Sequence, residues 1–167
     1  MFVCATYGEQ RAVEVFDCGQ TTLDERLTRH AESAQAKRTA QVSVWTDEGD
    51  SVVLAYFTCR HPRSCPQTCH VVWRGGVPGR IPAVLLGKLA LDRSLHGRGL
   101  GGQLLFDAYQ RVLSATRTVA ARYLAVDAID TAAVGFYEHY GFIRAPVEPL
   151  MRLVRPIRDI QADIDAP

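Results

Sequence analysis

Residues 89–105, Leu89-Ala-Leu-Asp-Arg-Ser-Leu-His-Gly-Arg-Gly-Leu-Gly-Gly-Gln-Leu-Leu105, decide how the rest of this chain is understood. An apolar run ends, a glycine-rich turn follows, and an amphipathic helix begins. The first N–H groups of a helix have no partner inside it, and the helix dipole leaves partial positive charge there. Glycine lets a ligand approach such a backbone closely, and Arg98 adds a full charge. Gly97, Gly99, Gly101 and Gly102 fall within six residues, more than a simple connection needs. The pattern predicts a pyrophosphate cradle. A nucleoside-triphosphate loop would require Gly-Lys-Ser/Thr, and Gln103 and Leu104 follow instead. The dinucleotide fingerprint G-x-G-x-x-G matches Gly97, Gly99 and Gly102 literally, with Asp127 placed like a ribose-binding acid. Against it, five residues, 92–96, separate the strand from the first glycine, and 65 residues after Gly102 are too few for that fold. A coenzyme A site is the remaining option.

The flanking sequence predicts one mixed α/β domain over 1–167. Residues 83–91 (AVLLGKLAL) are almost continuously apolar, as in a central strand buried on both faces. Leu100, Leu104, Leu105, Ala108 and Val112 recur at helical spacing over 99–115. Over 22–34, Leu23, Leu27, Ala31 and Ala34 share a helix face, and Thr22 with Glu25 has the form of a capping box. Residues 41–46 and 51–59 read as strands of a hairpin around Asp47-Glu48-Gly49-Asp50. A short strand is predicted over 123–128, then a helix over 131–140 capped by Asp130 and stopped at Gly141. Strands at 142–145 and 150–154 flank Pro146 and Pro149, and a short helix follows at 157–164. The stretch 60–82, rich in Pro, Gly and Arg, reads as an extended loop or an irregular edge hairpin. Together these give a mostly antiparallel central sheet flanked by helices.

The 167 residues are 47% hydrophobic and 22% charged, a globular composition. No apolar stretch approaches the roughly 18 residues of a spanning helix, and the N-terminus lacks the flank and core of a secretory signal. The expectation is a cytoplasmic protein without a membrane partner. Five cysteines, an odd number, argue against a disulfide framework. Cys59, His61, Cys65, Cys69 and His70 cluster without a C-x2-C pair, so no metal is predicted. The net charge of +1 hides a pattern: −4 over 1–50, +8 over 51–126 and −3 over 127–167, with no acid between Ser51 and Leu91. One reading is a solvated surface balanced in three dimensions by the flanks. The other is a face that binds a polyanion. Neither suits recognition of a polycation.

Residues 85–142 resemble the GNAT acetyltransferase family. The resemblance rests on His96-Gly-Arg-Gly99-Leu-Gly101, then Asp130-Thr-Ala-Ala133-Val-Gly-Phe-Tyr137, then Gly141-Phe142. His96 departs from the family's Gln/Arg and Asp130 from its Asn. The resemblance implies the GNAT fold, with acetyl-CoA as cosubstrate. The backbone of Leu89, Ala90 and Leu91 would pair with the pantetheine arm. The amides of Gly97, Arg98, Gly99, Leu100, Gly101 and Gly102 would hold the pyrophosphate, with His96 also in the cofactor site. Asp130, Ala133 and Phe136 would complete the cofactor site, and the Tyr137 hydroxyl would act as general acid beside the thioester sulfur. Read without the family, Phe136, Tyr137 and Tyr140 are equally core aromatics.

The flanks are similar to the toxin branch of that family, the TacT- and AtaT-like proteins, over most of 12–154. The segments that carry this are Phe16-Asp-Cys-Gly-Gln-Thr-Thr-Leu23-Asp-Glu-Arg-Leu27, Leu86-Gly-Lys-Leu-Ala-Leu-Asp92, Phe136-Tyr-Glu-His-Tyr-Gly-Phe142 and Pro146-Val-Glu-Pro149-Leu-Met-Arg-Leu153. This implies acetylation of the α-amine of aminoacyl-tRNA, a block of translation, a small ribbon-helix-helix antitoxin and a homodimer. The chemistry agrees: an α-amine with a pKa of about 7.7–8.0 is neutral near pH 8, whereas lysine at about 10.4 is not. RNA phosphates would be met by Arg29, Lys37, Arg38, Arg74, Arg80 and Arg93. Two alternatives remain: an acetyltransferase of a small amine, protein lysine or protein N-terminus, and a non-catalytic coenzyme A-binding module.

Overall fold

The computed structural model describes residues 2–8, 12–60, 70–72, 80–145 and 150–166. The chain runs β1 (Phe2–Thr6), α1 (Thr21–Ala36), β2 (Gln41–Asp47), β3 (Val53–Arg60), β4 (His70–Val72), β5 (Arg80–Leu91), a 3-10 turn (Arg93–Leu95), α2 (Leu100–Thr116), β6 (Tyr123–Ala128), α3 (Thr131–His139), β7 (Ile143–Arg144), β8 (Met151–Pro156) and α4 (Ile157–Asp165). These residues fall into two compact units. One is Met1–Cys59 with Lys88–Ala108, the other Arg60–Gly87 with Tyr109–Pro167.

In the first unit, β1, β2 and β3 form an antiparallel meander, with Ala5 opposite Val44 and Val44 opposite Tyr56, and β5 follows β3 in the strand order. Leu23, Leu27 and Ala31 face inward from α1 onto Phe16, Val42, Val44, Val53, Tyr56 and Ala90. Burying each large aliphatic side chain contributes about 1.5–3 kcal/mol. The Tyr56 hydroxyl in this core donates to the Leu23 carbonyl at 2.7 Å. Trp45 stacks on Phe2 at 5.3 Å and donates its indole N–H to Asp107 at 2.6 Å.

The capping box expected at Thr22 and Glu25 does not form. The helix starts at Thr21, with Gln20 as a cap that makes no side-chain bond. Thr22 therefore lies inside the first turn, where its hydroxyl is out of the capping position. Asp24 instead reaches back and accepts from the Cys18 amide at 3.0 Å.

In the second unit the order is β5-β6-β8-β7, with β4 beside the start of β5. β5 and β6 are parallel, Ala83 opposite Tyr123 through Leu86 opposite Val126. A parallel pair needs a long crossover, and α2 lies within it. β6 and β8 are antiparallel, from Tyr123 opposite Pro156 to Ala128 opposite Met151. Ala83, Leu85, Ala125, Ala145 and Val154 form one core cluster. α3 packs on β6 and β8, and α4 packs on β8 through the fully buried Ile160.

β5 begins three residues earlier than the apolar run suggested, because Arg80, Ile81 and Pro82 pair with β4. Residues 70–72 and 80–82 thus form an antiparallel pair, while the rest of the expected loop or hairpin, 61–69 and 73–79, lies outside the described residues. Two-sided burial holds for 83–86, the length of the β6 ladder; beyond it, apart from Ala90, the strand is half-buried. The strand expected over 142–145 shrinks to Ile143–Arg144, because Phe142 is taken up in ending α3. Cys18 is a free thiol. His61, Cys65 and Cys69 lie outside the described residues. Among the described residues no helix is long and apolar enough to cross a membrane.

Candidate active site

The glycine turn is built on the end of β5. The Asp92 amide donates to the Leu54 carbonyl at 2.8 Å. Its carboxylate caps the 3-10 turn, accepting from the Ser94 amide at 2.9 Å and hydroxyl at 2.7 Å, and also accepts from the Asp17 amide at 3.0 Å. Partial burial pushes the Asp92 carboxyl up, but those hydrogen bonds and the nearby His96 outweigh it and hold the group below the usual range. Arg93 is committed to the same junction. Its amide donates to the Asp17 carbonyl at 2.8 Å, its guanidinium lies 3.4 Å from the Asp17 carboxylate, and it covers Gly19.

His96, expected in the cofactor site, turns its ring back to the strand. Nε2 lies 2.9 Å from the Leu91 carbonyl. A carbonyl only accepts, so that nitrogen carries the hydrogen. Gly97 and Gly99 follow with φ of +70° and +72°. A Cβ at either would meet nothing within 4 Å. Glycine is needed there for the torsion, not for space. Arg98 between them is exposed. α2 then starts with no acid in its first turn and is pinned by the fully buried Leu104 and Leu105. The exposed backbone of 97–99, the exposed Arg98 guanidinium and a helix start without acids make a donor set that fits a diphosphate.

Asp130, Ala133, Phe136 and Tyr137 belong to the second unit. Asp130 caps α3 as expected, accepting from the Ala133 amide at 2.7 Å. That carboxylate oxygen is thereby used in the fold. Ala133 and Phe136 are half-buried on α3, and Phe136 rests against Tyr137 at 5.2 Å and Tyr140 at 5.0 Å. The helix ends in a Schellman motif: the Gly141 amide donates to Glu138 and the Phe142 amide to Tyr137. Gly141 has φ of +78°. The hydrophobic contact that accompanies such a motif is here the Tyr137 and Phe142 ring pair, 5.3 Å apart. Tyr109 stacks behind Phe142 at 6.4 Å.

Tyr137 is therefore buried, 8% exposed. Burial first, and Tyr109 second, push its pKa above the ordinary tyrosine value. No described residue hydrogen-bonds its hydroxyl. A phenol held protonated with its hydroxyl unused is suited to giving a proton to a departing anion. Cys18 is the buried free thiol, and burial with Asp24 pushes its pKa up to about 12. It is inert as a nucleophile at neutral pH.

The described arginines and lysine expected to meet RNA belong to several different elements. Arg29 is exposed on α1, 3.6 Å from Glu25. Lys37 and Arg38 are exposed at the end of α1. Arg80 opens β5, and Arg74 lies outside the described residues. Arg93 serves the Asp17 junction. Asp127, which a dinucleotide site would use on ribose, is held by two hydrogen bonds from Arg152 at 2.7 and 2.8 Å. Sequence reasoning missed Asp17, Asp92, Tyr109 and Phe142 as supports. Only Phe142 carried a local signal, as the residue after a helix-ending glycine.

Residues 11–142 match the family described as acetyltransferase (GNAT). A tRNA-acetylating toxin of Mycobacterium tuberculosis is 31% identical over 156 residues, covering 90% of this chain and 91% of that protein. Among solved structures, the toxin AtaT complexed with acetyl-methionyl-tRNAfMet is similar with a TM-score of 0.83 at 26% identity, over 98% of this chain and 99% of that one. A mutant of AtaT bound to acetyl-CoA and the C-terminus of the antitoxin AtaR gives 0.82 at 27% identity, over 99% of each chain. The glycine turn at the start of α2, the Asp130-capped helix that carries Tyr137 and a match over most of the sequence agree: this chain belongs to the GNAT acetyltransferase family.

Proposed function

We propose that this protein transfers the acetyl group of acetyl-CoA to the α-amine of the amino acid on charged tRNA and so stops translation. The chemistry rests on one observation above the others, the buried Tyr137 whose hydroxyl no described residue bonds. The substrate rests on similarity to a tRNA-acetylating toxin over 90% of the chain. Acetyl-CoA supplies the acetyl group as a thioester. The amides of 97–102 and Arg98 hold its diphosphate, and Leu89, Ala90 and Leu91 offer strand backbone to the pantetheine arm. His96 fastens the turn to the strand, and by the family resemblance Ala133 and Phe136 are further cofactor contacts.

The neutral α-amine attacks the thioester carbonyl carbon. A nitrogen–carbon bond forms and the carbon–sulfur bond breaks, with its electron pair going to sulfur. Tyr137 gives its proton to that sulfur, and the proton lost by the new amide returns through solvent to the phenolate. No acyl-enzyme is needed, in keeping with the inert Cys18 thiol. An antitoxin of the ribbon-helix-helix type neutralises the protein, which works as a homodimer. RNA is held by exposed arginine and lysine, with binding that weakens steeply with salt.

The test is mass spectrometry of total charged tRNA after incubation with acetyl-CoA, with Tyr137→Phe in parallel. N-acetylated aminoacyl adducts from the unaltered protein alone support the proposal and name the acceptor amino acid. No adduct, from protein shown to bind acetyl-CoA, overturns it in favour of a small amine or protein acceptor.

A further inference from the structure

Arg155 is a buried charge in β8, 9% exposed, and its guanidinium touches three different elements. One terminal nitrogen donates to Asp163 of α4. The other donates to the Tyr109 hydroxyl of α2 at 3.1 Å, and the guanidinium carbon lies 5.5 Å from that ring's centre. The same group lies over Gly141, where an added Cβ would come within 3.2 Å of Nε.

Two of these contacts, those to Tyr109 and Gly141, lead toward Tyr137. Gly141 is the left-handed residue that ends α3. Tyr109 stacks on Phe142, and Phe142 touches Tyr137 with both its ring and its amide. Stability alone does not call for an arginine here. Asp163 is largely exposed, and an ion pair with one partner in water adds little stability beyond what a well-packed apolar side chain of similar volume would give. Such a side chain could not bond the Tyr109 hydroxyl and the α4 carboxylate together.

We infer that Arg155, anchored by Asp163, is a positioning residue that fixes the Tyr137 ring by holding Tyr109 and the end of α3. The inference rests on the proton-donor role proposed for Tyr137. Asp163 is the place to test it, because its side chain is 58% exposed and water can solvate the arginine that Asp163→Asn leaves behind.

Acetylation of charged tRNA should be measured for the unaltered protein, Asp163→Asn, Tyr137→Phe and the double variant. Asp163→Asn should lower kcat about tenfold, short of the ~10²-fold that a 1 Å misplacement costs. The KM for acetyl-CoA should stay within about twofold, since no binding group is touched. In the Tyr137→Phe background the same change should cost nothing further, and Asp163→Glu should restore most of the rate. An equal fall in both backgrounds, or no fall, overturns the inference. Full activity in Tyr137→Phe removes the proton donor and the inference with it. A readout independent of the acceptor is ¹⁹F NMR of fluorotyrosine-labelled protein. The Tyr137 resonance, identified by its loss in Tyr137→Phe, should shift in Asp163→Asn, and an unmoved signal sinks the coupling even where no tRNA is acetylated.

Discussion

Gly97 and Gly99 have open space where a side chain would go, whereas Tyr137 is enclosed by Phe136 and Phe142. At the turn the constraint is torsional: two φ angles near +70° that only glycine adopts at low cost. At Tyr137 the constraint is contact, from a helix-ending motif and the rings it brings together. One region offers backbone amides and excludes little water. The other offers a single hydroxyl and is largely buried. The first is suited to binding an anion and the second to moving a proton, so damage to each should appear in a different kinetic constant.

Tyr137→Phe is the sharpest test of that separation. It should lower kcat by about 10²–10⁴-fold, the usual contribution of a positioned acid, with acetyl-CoA affinity unchanged by calorimetry. A matching loss of affinity would show that the two regions do not act separately. Gly97→Ala or Gly99→Ala should do the reverse. A left-handed torsion costs an alanine about 1–2 kcal/mol, which is roughly tenfold in the dissociation constant for acetyl-CoA. The rate at saturation should hold. If instead kcat falls with affinity intact, the turn does more than bind.

Asp130→Ala should cost about 1 kcal/mol of stability through the lost cap. The urea midpoint should drop while the slope stays constant. The smallest effect is one of pH. The rate should rise as the α-amine loses its proton, at or below about pH 8, and then stay level through about pH 10. Burial holds the Tyr137 proton more tightly in the fold than in the unfolded chain. Its contribution to stability is therefore whole below the unfolded value near 10 and is lost as pH climbs through the higher native value. A decline in kcat setting in near pH 9 would mean that Tyr137 ionises early, against its burial.

The parts legible in the sequence were those decided by neighbours along the chain. The glycine spacing, the Asp130 cap and the stop at Gly141 each depend on a few consecutive residues, and each is found as expected. The β6 strand over 123–128 matches to the residue. What the sequence hid depends on distant partners. Nothing near Arg93 says that Asp17 will take it, and nothing near Thr22 says that Asp24 will turn back to Cys18. Arg155 drew no reading of its own from the sequence, because Tyr109, Gly141 and Asp163 converge on it only in the folded chain. The basic middle segment was a sound count but a poor map, since the charges it sums serve unlike purposes.

The glycine turn combines two kinds of requirement in one short stretch. Its torsions at 97 and 99 admit one amino acid, while its fastenings are ordinary hydrogen bonds that several side chains could make: His96 to the Leu91 carbonyl, Asp92 to Ser94 and to the Asp17 amide. Mutational drift should therefore be uneven across it. Lineages descending from this sequence can exchange the fastenings one at a time, each swap covered by a neighbouring bond, while every viable copy keeps the same two glycines.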